Sequence, residues 1–193
     1  MLRSIGRGLA SPVPGTVRNV SIQNVNARHA TMTSSITGIP GHPVQRVTLG
    51  GVQLNMAGGQ QEAVALDVPE HEGKYPEATM FGALPSYGLY ARHVDGLLLA
   101  GLQTRWEAPD VRPSLIFDDV RDLTLDGFHA GAATGPAPIV WMRDVADAFV
   151  RGARTAAADL FLRVTGARST GIWLSGNDLS RVRKAVEGSA QEK

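Results

Sequence analysis

Two nine-residue stretches decide the fold: Val94-Asp-Gly-Leu97-Leu-Leu99-Ala-Gly-Leu102 and Val120-Arg-Asp-Leu123-Thr-Leu125-Asp-Gly-Phe128. Both read apolar, two polar or small, apolar, any, apolar, two small or polar, apolar. The frame returns as Val17-Arg-Asn-Val20-Ser-Ile22-Gln-Asn-Val25 and Val44-Gln-Arg-Val47-Thr-Leu49-Gly-Gly-Val52. Weaker copies are Val145-Ala-Asp-Ala148-Phe-Val150-Arg-Gly-Ala153 and the half-copy Ile172-Trp-Leu174-Ser-Gly-Asn177. The second apolar slot falls at 20, 47, 97, 123, 148 and 172, so the steps are 27, 50, 26, 25 and 24. The step of 50 is a double step or one coil carrying an insertion. A second strand precedes several copies in phase: Leu89-Tyr-Ala91, Leu115-Ile-Phe117 and Val140-Trp-Met142.

Strands this short are not stable alone. Stacking coil on coil pairs each with its equivalent one turn away, about 4.8 Å along the axis. Equivalent apolar slots then pile into one core. The reading is all-β: a right-handed parallel β-helix of about six coils of about 25 residues. Period-two alternation puts Val47 and Leu49 inside and Thr48 outside. Asn-Val, Gly-Gly, Asp-Gly and Ser-Gly-Asn supply the corners. A leucine-rich-repeat horseshoe shares the period, but valine dominates the first slot and helical segments are missing.

Composition agrees with a single domain over 1–187 and a tail over 188–193. The chain has 193 residues, 43% hydrophobic and 19% charged, with a formal net charge of +1. Neither global disorder nor a nucleic-acid partner suits that balance. With no cysteine, disulfides, thiolate metal sites and cysteine nucleophiles are excluded. No apolar run approaches the roughly 20 residues that span a bilayer, so no membrane partner is expected. Met1 to Gly15 carries charge but no apolar core, so it does not read as a signal peptide. No two histidines stand at a helical i, i+4 spacing, and no cofactor motif is present.

Two regions depart from the repeat. Residues 55–86 form a long excursion with Gly58-Gly59, Pro69, Pro76 and Pro85, in which Gln60 to Leu66 suits a short helical turn. An insertion this long is usually a functional loop or a cover. At the other end, Leu179, Val182 and Val186 stand at helical spacing behind Asn177 and Asp178. That predicts a short C-terminal capping helix over Asp178–Glu187. Met1 to Gly15 has no such helix, so the first coil reads as open and prone to self-association.

Ser34-Ser-Ile-Thr-Gly-Ile-Pro-Gly-His-Pro43, and Val68-Pro-Glu-His-Glu-Gly-Lys-Tyr-Pro-Glu-Ala-Thr-Met-Phe-Gly-Ala-Leu-Pro-Ser-Tyr-Gly-Leu-Tyr90, carry a resemblance. The chain resembles the C-terminal part of bacterial glycoside hydrolase family 28 proteins, the polygalacturonase-like family with the pectin lyase fold, to about Val186. The resemblance implies a parallel β-helix and hydrolysis, with inversion, of galacturonic-acid-containing cell wall polysaccharide in an extracellular or periplasmic setting. It also puts Asn-Thr-Asp, the paired aspartates and Gly-His-Gly before Met1, so no catalytic residue is assigned here and the chain reads as truncated. Only the neighbourhood of Arg-Ile-Lys is placed, just before Val17-Arg-Asn-Val20. Arg3 or Arg7 would be its arginine; its lysine is absent. The alternative is a non-catalytic β-helix that binds carbohydrate or serves as a scaffold.

Within the chain, Asp118-Asp119 mimics the carboxylate pair of an inverting glycosidase. It falls at a repeat corner, where Arg92-His93 and Arg143-Asp144 stand in other coils, and so reads as a solvated turn. Gly41-His42-Pro43 reads as a turn, and Glu70-His71-Glu72 as a solvated loop. The excursion is the best candidate site. Its Lys74, Tyr75 and Tyr87 suit a sugar-acid cleft, while Met80, Phe81 and Leu84 suit a cover. The outward slots Ser21, Thr48, Leu98, Thr124, Phe149 and Trp173 carry no ladder of carboxylates, so that face is not a catalytic groove.

Overall fold

The computed structural model describes residues 2–3 and 14–192. Their regular elements are all strands, paired in parallel and wound into about seven stacked coils. The first coil holds β1 (Leu2–Arg3), β2 (Arg18–Gln23) and β3 (Asn26–Ala30). The second holds β4 (Ser34–Thr37), β5 (Val44–Gly50) and β6 (Gln53–Gly58). The third and fourth hold β7 (Leu89–Ala100) with β8 (Gln103–Ala108), and β9 (Leu115–Asp126) with β10 (His129–Ala130). The fifth holds β11 (Val140–Arg143), β12 (Ala146–Arg151) and β13 (Arg154–Thr155). The last two hold β14 (Ala158–Thr165) with β15 (Thr170–Ser175), and β16 (Val182–Glu187) with β17 (Gln191–Glu192).

Three faces result. Face 1 runs β1-β4-β7-β9-β11-β14-β16. Face 2 runs β2-β5-β7-β9-β12-β15-β17. Face 3 runs β3-β6-β8-β10-β13. Strands β7 and β9, twelve residues each, bend through the corner between faces 1 and 2.

The repeat is the register. Val20, Val47, Leu97, Leu123, Ala148 and Ile172 pair in one column. Leu89, Leu115 and Val140 pair in another. Val47 pairs directly with Leu97, so the step of 50 is one coil carrying an insertion. The third face had only one clear sign in the sequence, the closing slot of the frame: Val52, Leu102, Phe128 and Ala153 are all buried at its start. The corner between faces 2 and 3 needs left-handed backbone in every coil. Asn24 and then Gly51, Gly101, Gly127, Gly152 and Gly176 supply it with φ of 57–65°.

Four expectations change. The C-terminal capping helix is not formed: Val182–Glu187 is strand β16, paired with β14 through Val182↔Ala158 and Val186↔Leu162. Residues four apart share a side in a helix and in a strand, so the apolar spacing fitted both. The open edge of β14 decides for the strand. The residues read as a tail continue the pairing, Gln191 and Glu192 lying beside Trp173 and Leu174. Gln60 to Leu66 is irregular rather than helical, and because β6 runs to Gly58 the excursion spans 59–88.

Candidate functional site

The excursion folds onto the outside of face 1. One outward column there reads Tyr90, Ile116, Trp141, Arg163 and Glu187. Val68, Phe81 and Leu84 pack on Tyr90 and Ile116, with Leu66 and Met80 beside them and Trp141 at the margin. An apolar outward column on a parallel sheet is thereby covered.

The neighbouring column carries charge. Thr37, Arg92, Asp118, Arg143 and Thr165 are in register, and β1 places Arg3 beside Thr37 at its head. Arg92, 3% exposed, donates to the carbonyls of Val68 and Pro69 and pairs with Glu70 at 3.2 Å. Arg143 donates to the Leu66 carbonyl and to Asp67. Between them Asp118 accepts two bonds from Arg143, at 2.9 and 2.6 Å, and one from the Tyr90 hydroxyl at 3.3 Å. The bidentate pairing holds Arg143 firmly protonated, and burial pushes the Tyr90 phenol up. Asp118 is therefore a buried counter-ion for Arg143, which docks the excursion, not part of a solvated turn. The sequence hid this because outward residues count as exposed until a distant loop covers them.

Asp119 turns the other way, into the corner. His93, Asp119 and Asp144 occupy it in successive coils with φ of 51°, 53° and 53°, the left-handed backbone that tight corners require of side-chain-bearing residues. His93 Nδ1 lies 2.6 Å from Asp119 and Nε2 lies 3.2 Å from Glu70 of the excursion. Arg168 spans Asp119 at 2.9 Å and Asp144 at 3.4 Å. Hydrogen bonds from Arg168 hold the Asp144 carboxyl below its usual range. Widened corners wall a groove of about 320 Å³ over this cluster: Ile39, Gly41 and Pro43 on one side, Arg168 on the other. Arg121 and Asp95 also line it, paired in register, and neither makes an ion pair among the described residues.

A second cleft, of about 370 Å³, opens where the excursion stops short of covering Trp141. Val64 and Leu66 form one wall; Pro85, Pro113 and Pro136 form the others. Arg163 lies over the indole with 5.0 Å between guanidinium carbon and ring centroid. The Trp141 indole N–H donates to Thr165 at 2.9 Å.

The predicted site residues are not brought together. Lys74 and Tyr75 stand exposed at the tip of the excursion, Tyr75 57% so, with Lys74 Nζ 3.5 Å from the His71 ring. Tyr87 does not line a cleft: it is 2% exposed and belongs to the core. Burial pushes its phenol up, and its hydroxyl has no hydrogen-bond partner among the described residues. The aromatic character that suggested sugar stacking serves packing here. Arg3 lies in β1, and Arg7 lies outside the described residues. Sequence reasoning missed Arg121, Trp141, Arg163 and Arg168. Arg121, Trp141 and Arg163 follow the repeat frame into outward slots, their only early signal, whereas Arg168 sits in a widened corner outside it.

What these elements define is a parallel β-helix with a long surface loop pinned to one face, beside a charged corner groove and an apolar cleft. No family model, curated protein or solved structure matches the chain.

Proposed function

We propose that the chain forms the C-terminal coils of a polygalacturonase-like glycoside hydrolase, and that it positions galacturonic-acid-containing polysaccharide rather than cleaving it. The observation that carries this reading is the docked excursion. The segment with the closest resemblance to the family is fixed to the helix by Arg92 and Arg143 while Lys74 and Tyr75 at its tip face solvent. A fixed loop presenting a cation and an aromatic ring suits a sugar acid: lysine meets the carboxylate, and the ring meets an apolar pyranose face. Arg121, which makes no ion pair among the described residues, adds a second cation in the corner groove.

Cleavage has less support. Inversion needs two carboxyl groups about 6.5–9.5 Å apart with a water between them. Asp118 is spent on Arg143, and Asp119 on His93 and Arg168. The setting that goes with this reading is extracellular or periplasmic, with a pectin-like polysaccharide as partner. Affinity electrophoresis in gels containing polygalacturonate tests it. The chain is expected to be retarded, and Lys74→Ala with Tyr75→Ala to lose most of the retardation. Equal mobility with and without polymer would overturn the reading.

A further inference from the structure

His93 stands at the corner of β7, 14% exposed, with a carboxylate at each ring nitrogen. Asp119 of β9 lies 2.6 Å from Nδ1, and Glu70 of the excursion lies 3.2 Å from Nε2. The row continues on both sides. Arg92 pairs with Glu70 at 3.2 Å, and Arg168 pairs with Asp119 at 2.9 Å and with Asp144 at 3.4 Å. In order the groups are Arg92, Glu70, His93, Asp119, Arg168 and Asp144. Their charges alternate in sign along the whole row only when His93 is an imidazolium. Asp95 and Arg121, in the groove beside His93, are a register pair of opposite sign and leave that balance unchanged. Next to Glu70 the excursion also carries His71 and Lys74, with Lys74 Nζ 3.5 Å from the His71 ring.

An imidazolium donates from both nitrogens, whereas a neutral imidazole donates from one and accepts at the other. The shorter contact keeps the remaining proton on Nδ1, toward Asp119. Nε2 then turns a lone pair toward the Glu70 carboxylate, and an attraction becomes a repulsion. The contacts before Glu70 do not change with it. Arg92 and Arg143 hold the carbonyls of residues 66, 68 and 69. Loss of the proton therefore loosens the excursion from Glu70 outward and leaves its base fixed.

Independently of the polysaccharide reading, we propose that His93 is a proton-operated latch. Protonated, it holds the outer part of the excursion, from Glu70 to the tip at Lys74 and Tyr75, against the corner; neutral, it releases it. Docking and protonation favour one another, so the docked state belongs to mild acid and the released state to mild alkali. Because His93 also lines the corner groove, release leaves a groove-lining imidazole with one nitrogen free.

The chain has no cysteine, and a Cβ added at Gly73 meets open space. Gly73→Cys therefore takes a single thiol-linked dye of pH-independent emission at the tip, and time-resolved anisotropy reads its local motion. Measurements at about pH 5.5 and pH 8.5 bracket the ordinary imidazole value of about 6.5 and avoid those of carboxylates and amines. The amplitude of fast local motion is expected at least to double from the lower pH to the higher. Adding His93→Asn, a neutral residue that accepts left-handed backbone, should give the mobile value at both. Adding His93→Arg supplies a fixed cation, on backbone that Arg46 also adopts with φ of 50°, and should give the docked value at both. Circular dichroism confirms that the variants are folded. Equal mobility at the two pH values in the labelled chain that keeps His93 would overturn the latch. So would a pH dependence that survives His93→Asn, since it would place the switch in another group such as His71.

Discussion

Leu123 and Thr124 are neighbours in sequence and opposites in space. Leu123 is 1% exposed and stacks between Leu97 and Ala148; Thr124 faces out between Leu98 and Phe149. Leu123→Asp places a charge with no partner in the core, a cost on the order of 3–5 kcal/mol. Thr124→Asp changes an outward position and should cost under about 1 kcal/mol. Urea denaturation of the two variants checks this, and equal losses would mean that the inward and outward slots are misassigned. At this scale the sequence was most legible. A period of two fixes which side each residue takes, and a period of about 25 fixes which residue it stacks on. Asp118 and Tyr87 escape the sequence pattern for different reasons. Burial of Asp118 comes from a loop inserted elsewhere in the chain, and the sequence-local pattern around Tyr87 does not distinguish a core phenol from a stacking platform.

Among the elements, the excursion and strand β16 were the hardest to read. The spacing of Val182 and Val186 suits helix and strand alike, and only the vacant edge of β14 distinguishes them. The length of the excursion was plain, but its docking was not, because three of the docking groups are backbone carbonyls, those of residues 66, 68 and 69. A carbonyl leaves no trace in a sequence pattern. The docking can be probed by undoing it. Arg143→Met strands buried Asp118 without its counter-ion and should cost about 3–5 kcal/mol. Adding Asp118→Asn removes the stranded charge and should recover most of that loss. In both variants the Leu66 carbonyl and Asp67 lose their donor, so limited proteolysis within 59–88 should quicken by tenfold or more. If the double variant resists the protease as the wild type does, Arg143 does not hold the excursion.

For the whole molecule, the two ends of the solenoid matter most. Ile22 occupies an inward slot yet is 39% exposed, whereas Leu49 in the same column is 8% exposed. Among the described residues no strand pairs with the outer edge of β2. Unpaired strand edges template association. The chain is expected to self-associate through this coil at tens of micromolar, as measured by light scattering. Ile22→Lys should shift it toward monomer, and a wild-type monomer at that concentration would show the coil to be sealed. The architecture was legible because solenoids repeat it in one dimension; the chemistry was not, because sites lie in corners and insertions where the repeat breaks.

The role proposed for this polypeptide is to hold an acidic polysaccharide without cutting it. The most direct test is to count the reducing ends released when the purified chain is incubated with polygalacturonate. The account predicts release no greater than in buffer alone, because no pair of unengaged carboxylates was found among the described residues at either candidate site. Sustained release of reducing ends, abolished by Asp118→Asn and by Asp119→Asn, would contradict it.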